Sequence, residues 1–154
     1  MLKEEVAKIN LYSNAMMIAT SIHHIYGAVI YHTPWRLHVL IVSMPMIIVS
    51  IIASRLLIWR NLSWKTSLLW SYRSIVLIFS VILIGGFEGV YNHLLKNIFF
   101  FSGVNKPTLI QMFPPPTYVM PNDVLFEITG VLQAFIFVPL LLIFLRFLKR
   151  KRME

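Results

Sequence analysis

The sequence predicts an all-α, polytopic membrane protein, a single four-helix transmembrane domain over 1–154 with both termini on the cytoplasmic side. Three observations lead there. Of 154 residues, 58% are apolar and 13% charged, whereas a soluble domain carries about 25% charge. Four segments are long enough to cross a bilayer, which takes roughly 20 mostly apolar residues because each adds about 1.5 Å of rise and every backbone polar group must be paired internally. The basic residues, finally, gather on one side of those four segments.

The first span is expected at about 14–31, within the charge-free stretch from Ile9 to Trp35. Ahead of it, MLKEEVAKINLYSN is too charged to be the apolar core of a signal peptide and is read as mature protein. It suits a short interfacial helix with Leu2, Val6, Ile9 and Leu11 on one face. The second span runs over about 37–59, and the third over about 73–95, where Glu88 interrupts an otherwise apolar run. The fourth covers about 124–148, after Pro121-Asn122-Asp123, where Asn or Asp supplies an N-cap. Pro45 and Pro139 are expected to kink their helices rather than end them. Gly85 and Gly89 have the GxxxG spacing that lets helices approach closely.

Eleven of the fourteen basic residues fall at the N-terminus, the second connection and the C-terminal end: Lys3 and Lys8, then Arg55, Arg60, Lys65 and Arg73, then Arg146, Lys149, Arg150, Lys151 and Arg152. Only Arg36, Lys96 and Lys106 lie opposite. Basic flanks face the cytoplasm, so the Tyr31–His38 turn and the loop 96–123 face outward. That loop contains FPPPTY, whose three prolines favour an extended strand over a helix. Its apolar residues suit packing over the bundle mouth, with a lid or a docking strip as the functional alternatives.

The formal charge of +8 points to anionic lipid headgroups. Nucleic acid is set aside, because no glycine-rich phosphate loop and no interleaved basic and aromatic face occurs. The chain has no cysteine, which excludes a disulfide framework, thiolate metal sites and thiol redox chemistry.

Ionisable groups inside a membrane are costly and usually face a bundle interior or a cavity. Glu88 and Glu127 fall in the outer halves of the third and fourth spans, and His24 near the middle of the first. Imidazole with carboxylate suits a non-haem metal such as iron or zinc, and helix bundles build such sites from inward side chains. The expected ligands are His24, Glu88, His93 and Glu127. Asn92, Tyr31 and His32 form the surrounding shell. One spacing is awkward: in a regular α-helix Asn92 shares the Glu88 face, but His93 points about 140° away from it. A b-type haem between His24 or His32 and His93 is the weaker metal reading.

Three functions follow from that cluster. It binds a metal or a lipophilic small molecule; or it works on a lipid-like substrate, with Glu88 or Glu127 as acid and His24 or His93 as base in an isomerase, or with a metal in an oxidase or hydroxylase. Without chemistry, the protein is an accessory subunit of a larger membrane complex, or a homo-oligomer, whose polar groups only hold the helices in register.

Overall fold

In the computed structural model, which describes residues 2–59 and 63–149, helices account for nearly all of the chain and no strand occurs among those residues. Helix α1 spans Leu2–Ile30 without a break. The separate interfacial helix expected at the N-terminus is therefore its first turns. The reason is a continuous buried stripe at helical spacing: Val6, Ile9, Ser13, Met16, Thr20 and His23 are all buried. Leu11 leaves that face and is 65% exposed. Near the start, Lys8 donates to Glu4 at 2.7 Å on an exposed turn, and this hydrogen bond holds the Glu4 carboxyl below its ordinary range.

A short 3-10 turn, Pro34–Leu37, leads into α2, His38–Trp59, which carries Pro45 in its interior as expected. The third span is longer than its apolar core. It is one rod from Lys65 to Phe101, 37 residues long, built of α3 (Lys65–Ile75), a π-helical stretch (Val76–Leu95) and α4 (Lys96–Phe101). Lys96 thus continues the helix instead of opening a loop. The connection beyond it contains a further helix that the triple proline does not announce, α5 at Lys106–Met112, whose N-cap Asn105 accepts from the Thr108 amide. Helix α6, Val124–Lys149, begins at the expected cap: Asp123 Oδ1 accepts from the Phe126 amide at 2.7 Å.

Among the described residues, three helices are long and apolar enough to cross a membrane: Pro34–Ile58, Lys65–Phe101 and Val124–Lys149. The protein is a membrane protein on that ground. Its outer surface carries large apolar side chains, with Ile41 76%, Phe135 69% and Val29 66% exposed, as lipid-facing residues are. Of the basic residues that set the expected orientation, Arg60, Arg150, Lys151 and Arg152 lie outside the described residues.

Helix α1 packs against α2, α6 and the π-helical stretch, and α6 packs along that stretch. The glycines make the second contact close. A side chain at Gly85 would run into the Phe137 ring, and one at Gly89 into the backbone of Ala134 on α6. At one end of the molecule Val6, Ile9, Met16, Tyr72, Leu140, Phe144 and Phe147 form a core with essentially no exposure. The other end holds the cluster of histidine and glutamate side chains.

Candidate metal centre

Glu88 is the hub. Its Oε1 lies 3.0 Å from His24 Nε2 and 3.3 Å from His93 Nε2, while Oε2 accepts from the Asn92 amide at 2.6 Å. One carboxylate thus joins α1 to two positions of its own helix. The π-helical pitch makes this work. With i→i+5 backbone bonding, residues five apart stand nearly above one another, so His93 and Asn92 both share the Glu88 face. The 140° divergence expected for an α-helix does not occur, and the local winding is the physical reason.

Helix α6 closes the centre from the other side. Glu127 accepts from Lys96 Nζ at 3.2 Å and from the Asn97 amide, and its Oε2 stands 3.7 Å from His93 Nδ1. His93 therefore lies between two carboxylates contributed by different helices. It fits there because Gly130 has no side chain: a Cβ at that position would overlap the imidazole ring.

His23 was not among the residues the sequence singled out. It is fully buried, edge-on to the His93 ring with centroids 4.4 Å apart, and its Nδ1 meets the Thr129 hydroxyl at 3.0 Å. Its other nitrogen, Nε2, is buried and makes no hydrogen bond to any described residue. One signal in the sequence bears on it: a second histidine adjacent to His24 on a helix buried on two sides. Lys96 and Asn97, which the sequence assigns to the outward loop, belong to the centre as well.

Donor atoms of His23, Glu88 and His93 all lie within 4.8 Å of one another. This is a His/Glu cluster that can hold a metal ion. Of the expected ligands, His24, Glu88 and His93 come together directly, and Glu127 reaches the group through His93. Tyr31 sits in the wall above, its hydroxyl donating to Asn122 and its ring edge-on to Phe126. His32 lies apart, exposed and with a positive φ of 51°, so its expected place in the shell finds no contact with the cluster among the described residues.

Beside the centre is a cavity of about 270 Å³ bordered by His24, Glu88, Asn92 and His93. The connection between α5 and α6 caps it. Lys96 donates to the Val119 carbonyl at 2.8 Å, Tyr91 to the Met112 carbonyl at 2.9 Å, and Phe113 is fully buried. Burial pushes the Tyr118 hydroxyl, in the same cap, above its ordinary pKa.

No protein-family model, curated protein or solved structure matches this chain. The functional reading therefore rests on the site alone.

Proposed function

We propose that this is a four-span membrane protein, termini cytoplasmic, whose His/Glu centre binds a divalent transition metal such as zinc or iron. The fourth span is α1. Its 29 residues exceed the length a bilayer requires, and its polar residues from Thr20 to His24 turn toward the protein interior. Its neighbours cover what lipid would not tolerate.

The observation that carries the metal reading is the convergence of His23, Glu88 and His93 donor atoms within 4.8 Å. Side-chain rotation from there brings them to the roughly 2.0–2.2 Å at which imidazole and carboxylate ligate zinc. His24, already against Glu88, completes a four-ligand set. The outer partners support the assignment. Metal-bound histidines usually donate their second ring nitrogen to a hydroxyl, carbonyl or carboxylate, and here Thr129 stands at His23 Nδ1 and Glu127 faces His93 Nδ1. Glu127 is then an orienting residue, its own oxygens engaged by Lys96 and Asn97.

Elemental analysis of the purified protein after loading with zinc or ferrous iron tests this. One metal per chain is expected, reduced about tenfold or more in occupancy by His23→Ala combined with His93→Ala. Wild-type protein that takes up no metal, or a double variant that retains it, overturns the reading. A second reading is favoured by the cavity bordering Glu88 and His93: the centre acts on a lipid-like molecule that enters there.

A further inference from the structure

We propose that this cavity binds an amphiphile with an anionic head, a carboxylate or a phosphate, held by Arg36, with its apolar chain in the crevice between α2 and the π-helical stretch. The inference deepens the lipid-substrate reading and rests on the same cavity, not on the metal.

Charge comes first. Arg36 is 6% exposed, yet among the described residues no carboxylate lies within salt-bridge distance of it. Its Nε donates to the Thr33 hydroxyl at 2.9 Å and one terminal nitrogen to the Thr117 carbonyl at 3.4 Å. The rings of Tyr31, Trp35 and Phe126 surround the guanidinium at 4.9 to 5.5 Å. Those groups solvate a cation but do not neutralise it. The nearby acids are already engaged, Glu88 by two imidazoles and an amide, Glu127 by Lys96 and Asn97. A buried cation with no carboxylate in ion-pair contact is costly, and a planar guanidinium with free N–H groups matches a carboxylate or phosphate.

Shape supplies the rest. Arg36, His38 and Thr117 line the cavity together with Val42, Phe79 and Leu83. Helix α2 runs away from Arg36 while the third rod runs toward Lys96, so the polar end lies at the capped mouth and the apolar end deeper between the helices. Helix α2 packs on α1 and α3, leaving that crevice along its far side. Leu83 and Phe87 are 43% and 48% exposed on the lipid-facing surface, so the crevice continues into hydrocarbon. A volume of about 270 Å³ lies just below the ~300–1,000 Å³ of sites that enclose whole small ligands. It holds a head and the first part of a chain.

The test uses the full chain in nanodiscs of zwitterionic lipid, treated with chelator so that the outcome is independent of the metal. Equilibrium binding of laurate and dodecyl phosphate is compared with that of dodecanol. Saturable binding of at least one anionic probe is expected, about tenfold or more tighter than dodecanol, and lost by a similar factor in Arg36→Gln; whichever anion binds more tightly identifies the head. Leu83→Trp, which fills the crevice without touching Arg36, should weaken binding as well and serves if Arg36→Gln fails to fold. Equal binding of dodecanol and both anions, wild-type affinity in Arg36→Gln, or wild-type affinity in Leu83→Trp overturns the proposal.

Discussion

The two ends of this protein handle buried polarity differently. Around Val6, Tyr72 and Phe147, most buried polar groups meet a partner: Ser13 meets the Ser80 hydroxyl, Tyr72 donates to the Val6 carbonyl, and Arg73 donates to the Phe147 carbonyl, leaving its buried Nε without a hydrogen bond among the described residues. Around Glu88, three imidazoles and two carboxylates crowd one level, and buried atoms of His23, His24 and Asn92 have no hydrogen-bond partner among the described residues. Hydroxyl pairs of the first kind suffice to hold helices in register. The second end carries more donor atoms than registration needs, and their excess is the argument that it binds something.

Substitutions can break that contrast. The largest effect is expected at the apolar end, where Phe144→Ala should cost about 3–5 kcal/mol in reversible unfolding yet leave the metal content of the folded fraction unchanged. A parallel loss of metal would mean that the two ends are one cooperative unit. At the polar end, Glu127→Gln should weaken zinc about 10–100-fold in a chelator competition. Unaltered zinc affinity would remove Glu127 from any orienting role. Smallest of all, the Ser13 and Ser80 pair should show a coupling of about 0.6 kcal/mol in a double-mutant cycle to alanine. A value several times larger would erase the distinction between an energetically modest end and a functional one.

Much of the fold is legible along the chain. The apolar runs of α2, the third rod and α6 stand out because each must satisfy a bilayer over its whole length, and Asp123 announces the start of α6 because its carboxylate caps the Phe126 amide. Glu88, His24 and His93 are legible as candidates because a charged or imidazole group in such a run needs a reason to be there. The role of His23 is not legible, since its partners Thr129 and His93 lie on other helices. Lys96 looks like a loop cation and is instead nearly fully buried against Glu127 and the Val119 carbonyl.

Composition and spacing by themselves determine that the protein is helical, lives in a membrane and carries a handful of ionisable groups at similar depth, because lipid punishes unpaired backbone and stray charge wherever they occur. Which of those groups meet was decided only by tertiary structure. The π winding of Val76–Leu95 turns His93 onto the Glu88 face, and the missing side chain of Gly130 gives its ring a seat against α6. A regular α-helix would have pointed the same histidine elsewhere, and no local rule of sequence distinguishes the two windings.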